Sequence, residues 1–185
     1  AMKKMILAAL VAVASISANA QVWVGGELGF NYNKVDNGLE TTTFSIAPEV
    51  GYTLSDKWDI AIALREELAS QKDGESINIF SVNPYARYTF FQTGKAGFFL
   101  DMGFSVGTMS NGYNGDQIVK INDNATRFGV GVRPGVKFAA SDKVTLVASL
   151  GGLGFQQTKR GDYKESDFGF NVNGNALQFG AYYAF

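Results

Sequence analysis

Leu177-Gln178-Phe179-Gly180-Ala181-Tyr182-Tyr183-Ala184-Phe185 closes the chain, with apolar or aromatic residues on every odd position and small or polar residues between them. A period of two with one continuous greasy face describes a β-strand that needs an apolar partner along its whole length. In water such a strand would be a sticky edge. As the closing strand of a barrel in a bilayer it has no edge, because every backbone group is paired with a neighbour. The stretch therefore predicts an all-β chain folded as a transmembrane β-barrel.

The same alternation recurs upstream, over residues 21–33, 42–54, 58–70, 76–91, 96–108, 125–138 and 144–156, with the closing strand preceded by Phe168, Phe170 and Val172. The last strand needs a bulge near Asn173-Gly174-Asn175, since its apolar residues are even before that point and odd after it. Eight strands of this length suffice to cross a bilayer at a tilt, and an up-and-down antiparallel order joins them by short turns alternating with longer loops. Ser55-Asp56-Lys57 and Ser141-Asp142-Lys143 are two of the turns. With Pro48, Val50 and Leu64 against Pro134, Val136 and Leu150 they repeat at a constant offset of 86 (134 − 48). This is either a duplicated half-barrel or convergence of hairpins on one turn chemistry. Mid-strand Pro48, Pro84 and Pro134 each remove a ladder donor, for which local bulges are the expected remedy. Ile77 and Ile79 are out of phase with the rest of their strand.

Residues 1–20 have a different character. Lys3-Lys4, the apolar run from Met5 to Ile16 and Ala18-Asn19-Ala20 form the basic, apolar and small-x-small parts of a cleavable signal peptide, with Ala1 ahead of Met2 read as a cloning scar. The barrel then comprises residues 21–185, which leaves 165 residues (185 − 20) with a net charge of −3 (14 − 17). That charge gives no footprint for nucleic acid. The chain has no cysteine and no histidine. The second absence removes the usual general base and the commonest metal ligand, so the expectation is no catalysis, no cofactor and no metal. Ser105 near Asp101 is the best serine-acid pair left, and it reads as lumen filler. Asn111, Asn114, Asp116, Asn122, Asp123 and Asn124 in the longest loop match no calcium loop.

Which face points inward decides between a soluble and a membrane barrel. The polar face carries Glu27, Glu49, Asp59, Glu67 and Asp101 with Arg65, Arg87, Arg127, Arg133 and Lys137, interspersed with glycines. A soluble eight-stranded barrel of lipocalin type would bury the bulky face. Eight strands enclose room for small side chains and a few long ones, so glycine and the balanced charges belong inside and the large aromatics outside. Buried charges persist only when paired, and the expectation is a lumen filled by ion pairs. A selectivity ring in a narrow passive porin for small solutes is the alternative. Trp23, Tyr52, Trp58, Phe90, Phe98, Phe138, Tyr183 and Phe185 are expected to form an aromatic girdle at the short-turn end.

The export signal, the eight alternating strands and the Tyr183-Ala184-Phe185 ending resemble the small outer-membrane barrel family typified by OmpA and OmpX. The resemblance covers residues 21–185. It implies the cell outer membrane, a lipid and lipopolysaccharide environment, short turns toward the periplasm, and recognition of Tyr183 and Phe185 by the barrel-assembly machinery. A monomer acting in envelope integrity, or through loops that meet a surface ligand, follows from it. No peptidoglycan-binding segment is expected after Phe185, so a tethering role is not implied by the resemblance. Residues 157–167 read as a charged loop, whose Lys159, Arg160 and Lys164 are candidates for lipopolysaccharide phosphates, although a solvated charged loop explains them equally well.

Overall fold

The structure, a computed structural model, describes residues 22–34, 38–72, 74–114, 117–171 and 177–185. The signal peptide expected at 1–20 and the phase change expected at 173–175 fall outside the described residues. Alternating segments rich in aromatic and β-branched residues become the strands. They are β1 Val22–Lys34, β2 Glu40–Thr53, β3 Trp58–Gln71, β4 Ser76–Thr93, β5 Ala96–Met109, β6 Gly112–Asn114, β7 Gln117–Val119, β8 Ala125–Ala139, β9 Val144–Leu150, β10 Gly152–Arg160, β11 Tyr163–Asn171 and β12 Leu177–Ala184. β9 with β10 makes one stave and β11 with β12 another, so eight antiparallel staves form the ring, while β6–β7 is a separate small hairpin. The ring closes where β1 pairs with β12, from Trp23↔Ala184 to Gly29↔Gln178.

The two faces sort opposite to a soluble protein. Leu28, Phe30, Ile46, Ile62, Phe104 and Val106 all stand exposed on the outer face, whereas Glu27, Arg87 and Asp101 are buried at 2%, 2% and 5% exposure. A belt this apolar would be an aggregation surface in water. Facing hydrocarbon, it has its natural solvent, and pairing β1 with β12 removes the open edge that a flat sheet would present to lipid.

Several local expectations are corrected. Pro48 and Pro84 need no bulge. At each, the ladder to one neighbour skips two residues and resumes in the same register, from Ile46↔Glu66 to Glu49↔Ala63 and from Val82↔Val106 to Tyr85↔Gly103. A missing N–H costs a bond on one side of a strand only, which is why a gap suffices. Beside Pro134, in contrast, the pairing slips by one residue at Gly151, between Gly135↔Ser149 and Leu153↔Val132. The stave expected at 144–156 is thus two strands of opposite phase, Leu146 and Leu150 facing out before the glycines, Leu153 and Phe155 after them. Residues 157–167, expected as a charged loop, continue as a β10–β11 hairpin with Lys159↔Lys164 and Arg160↔Tyr163 paired.

The repeated Ser-Asp-Lys turns are the same to the individual hydrogen bond. Ser55 Oγ accepts from the backbone N–H groups of Lys57 and Trp58, and Ser141 Oγ accepts from those of Lys143 and Val144. Both chain ends of the barrel lie with these turns, where Phe185 N–H donates to Val22 O.

Candidate functional site

The centre of the lumen is built by strand register. Asp59, Arg87, Asp101 and Arg133 are successive partners across β3, β4, β5 and β8, so one inward row alternates in charge. Arg87 grips Asp101 with two bonds, Nε to Oδ1 at 2.6 Å and Nη2 to Oδ2 at 2.9 Å. Arg133 donates to the same carboxylate at 3.0 Å and, across the lumen, to Glu27 at 2.8 Å. Arg65 stands 3.8 Å from Glu27 and Arg87 3.7 Å. Removing these charges from water is costly singly and tolerable only as a hydrogen-bonded network, which the stiff staves hold in place.

Neutral groups complete the layer. Gln178 Oε1 accepts from Arg65 at 2.9 Å and from Arg133 at 2.7 Å. The Tyr182 hydroxyl accepts from Arg87 at 3.3 Å and lies 3.0 Å from Glu27 and 3.2 Å from Glu49. The Arg87 guanidinium lies 3.9 Å over the Phe99 ring, a cation–π contact strengthened by the absence of water. Trp23 lies against Tyr182 with centroids 4.4 Å apart. The inward aromatics correct two expectations, that every bulky residue faces out and that Trp23 joins the girdle. Glycine makes their room: a Cβ on Gly51 would sit 2.0 Å from the Trp23 ring, and one on Gly135 would sit 2.3 Å from Phe99.

Of the ten charged residues assigned to the lumen, Glu27, Arg65, Arg87, Asp101 and Arg133 meet in this one ion-pair layer. Glu49 is held there by tyrosines instead, its Oε2 accepting from Tyr85 at 2.5 Å. Asp59, which accepts from Thr53 Oγ1 at 2.6 Å, and Lys137 line a cavity of about 460 Å³ on the short-turn side. Glu67 and Arg127 line a cavity of about 800 Å³ on the loop side. Ser105 lines that larger cavity too, but Asp101 is committed to two arginines, so the pair forms no nucleophile–base unit. Among the described residues no three acidic side chains converge as metal ligands. Tyr85, Tyr182 and Gln178 were missed as a neutral polar layer, and Phe99 as the ring against Arg87; their inward parity was the available signal.

Aligned with known proteins, residues 5–185 match the outer membrane protein beta-barrel domain. The chain belongs to that family. Among solved structures, neisserial surface protein A aligns at a TM-score of 0.58 and 20% identity over 89% of this chain and 97% of that one. The N-terminal barrel of Pseudomonas aeruginosa OprF aligns at 0.48 and 16% over 89% and 98%. No curated relative matches the sequence. The protein is therefore an outer-membrane barrel, and its apolar belt faces the lipid of the cell outer membrane.

That placement accounts for the aromatic pairs at the short-turn end of this outer-membrane barrel, Trp58 with Tyr88 at 4.7 Å and Tyr183 edge-on to Phe185 at 5.5 Å. Such rings suit the boundary between headgroups and hydrocarbon. At the other end the long loop is built onto the rim. Ile118 is buried against inward-facing Ala69 and Ile77 with Ile79 alongside, which explains why the two isoleucines are out of phase with the lipid face. Gln71 Oε1 accepts from Ile118 N–H while its amide donates to Thr41. Asn111, at a positive φ of 58°, donates to Ser76 O and accepts from Ile121 N–H. Arg160 donates to the carbonyls of Asn111 and Asp123, so it is a loop strut and not a free cation for phosphate.

Proposed function

We propose that this outer-membrane barrel is plugged and monomeric, and that it serves envelope integrity or surface interaction through its loop end. The single observation that supports this is the Glu27–Arg133–Asp101–Arg87 layer, which stands between the two lumen cavities and is packed by Phe99, Trp23 and Tyr182. An ion crossing it would have to break charge-assisted bonds of 2.6–3.0 Å that the low local dielectric strengthens. In planar bilayers the refolded protein is expected to be electrically silent. Steady, sizeable channels would reject this reading in favour of the narrow porin.

The remaining assignments belong to the same reading. Residues 1–20 direct export and are removed. Tyr183 and Phe185 present the terminal aromatic pattern to the assembly machinery, so Phe185→Ser is expected to slow assembly in cells more than refolding in detergent. Lys159 and Lys164 are the basic side chains left to meet lipopolysaccharide phosphates. The protein acts without catalysis, and incubation with lipid A and phospholipid is expected to yield neither cleavage nor acyl transfer.

A further inference from the structure

The β10–β11 hairpin sorts its charges by face. Register partners share a side of the sheet, and Phe155↔Phe168, Gln157↔Ser166 and Lys159↔Lys164 alternate with Gln156↔Asp167, Thr158↔Glu165 and Arg160↔Tyr163. The second set faces the lumen and the long loop. Gln156 and Asp167 border the larger cavity, and Arg160 holds the carbonyls of Asn111 and Asp123. The first set therefore faces lipid. Phe155 and Phe168 are exposed there at 36% and 70%, and beyond them the Gln157 amide donates to Ser166 Oγ at 3.3 Å on the same outer surface. The two lysines come next, while Glu165 and Asp167, the acids of these two strands, lie on the opposite face.

Like charges directly opposite each other on paired strands repel. Among the described residues no carboxylate, that of Asp162 in the turn included, lies within ion-pairing distance of either ammonium. An anion from outside the chain would relieve that repulsion, and height narrows its source. Phe155 and Phe168 are the last apolar residues of this face. Lys159 is four residues past Phe155 (159 − 155), about 13 Å along the strand at ~3.3 Å per residue and about 9 Å toward the surface at a ~45° tilt. That places both lysines past the hydrocarbon, with stems long enough to bend back to the headgroups. Thr126, the exposed register partner of Lys159 on β8, adds a hydroxyl beside them. A phosphomonoester, with a charge of about −1.5 to −2 and three acceptor oxygens, matches two ammonium groups and a hydroxyl. A phosphodiester has half that charge and fewer free oxygens.

We propose that Lys159 and Lys164, with the Thr126 hydroxyl, form one shared site on the lipid-facing side of the hairpin for the phosphomonoester of an outer-leaflet lipid headgroup. The inference rests on the reading that these lysines meet lipid phosphates, and goes further in making them a single site that selects among phosphates. Native mass spectrometry of the refolded protein in detergent tests it, with dioleoyl phosphatidic acid as the phosphomonoester, dioleoyl phosphatidylglycerol as the phosphodiester and dioleoyl phosphatidylcholine as the zwitterion. The one-lipid complex with phosphatidic acid is expected to be about tenfold or more tighter than that with phosphatidylglycerol, the worth of one further charged hydrogen bond. Because both ammonium groups hold the same phosphate, Lys159→Gln and Lys164→Gln are each expected to erase that preference, and the double variant to lose no more. Lys143→Gln, which removes an exposed cation at the short-turn end, should leave it intact. Equal affinity of the wild type for the two anionic lipids, an equal loss in Lys143→Gln, or losses that add independently across the two lysines would each overturn the shared site. Additive losses would leave the lysines as separate phosphate contacts. A double variant that keeps the full advantage of anionic lipid over phosphatidylcholine would remove that broader reading too.

Discussion

Replacing Arg133 with alanine would leave Glu27 and Asp101 sharing fewer donors in a site closed to water, because Arg133 is the side chain that joins the Arg87–Asp101 pair to the opposite wall. Stranding buried charge in this way costs about 3–5 kcal/mol, and Arg133→Ala is expected to lose that much in urea unfolding followed by tryptophan fluorescence. Glycine gives a second residue-scale expectation, from two inward positions on β8. A Cβ at Gly135 would collide with Phe99 at 2.3 Å, whereas one at Gly129 finds ordinary contact at 3.5 Å. Gly135→Ala should therefore cost about 1–3 kcal/mol by overpacking, and Gly129→Ala should stay within about 0.5 kcal/mol of wild type. Parity alone placed both glycines inside. Which of them faces a ring depended on Phe99 arriving from β5, and no spacing in the chain encodes that approach.

Among the elements, the long loop shows how tertiary contact overrides composition. Rich in Asn, Asp and Gly, it reads as solvated chain, yet it contains β6 and β7 and is fastened to the rim by Ile118, Gln71 and Asn111. Ile118→Ser or Gln71→Ala is expected to free the hairpin without opening the barrel. Limited proteolysis within 110–124 should then quicken about tenfold or more, as for a local unfolding equilibrium shifted by one or two kcal/mol, while heat-modifiable migration on a gel stays unchanged. The Ser-Asp-Lys turns behave in the opposite way, since their hydrogen bonds are local and follow directly from the residues. Ser55→Ala and Ser141→Ala should each cost about 0.5–1 kcal/mol, by the same mechanism and to a similar extent.

For the whole molecule, the decisive property is the inverted solvent preference of the two faces. Val132 lies at the middle of β8 and points outward, so Val132→Arg would drive a cation into hydrocarbon and is expected to cost about 2–4 kcal/mol in lipid vesicles. The same substitution would be almost free on the outside of a soluble barrel, which makes its measured cost a direct reading of what surrounds the protein. The alternating pattern, the glycine-rich polar face and the terminal aromatics determined by themselves that the chain is a barrel with lipid outside and charge inside, because a period of two leaves each residue only two directions. The partners inside were decided by the closed structure alone. Arg133 meets Glu27, 106 residues away, and Ile118 meets Ala69 and Ile77, because ring closure sets which inward side chains share a level. Periodicity says which way a side chain points and carries nothing about what stands opposite.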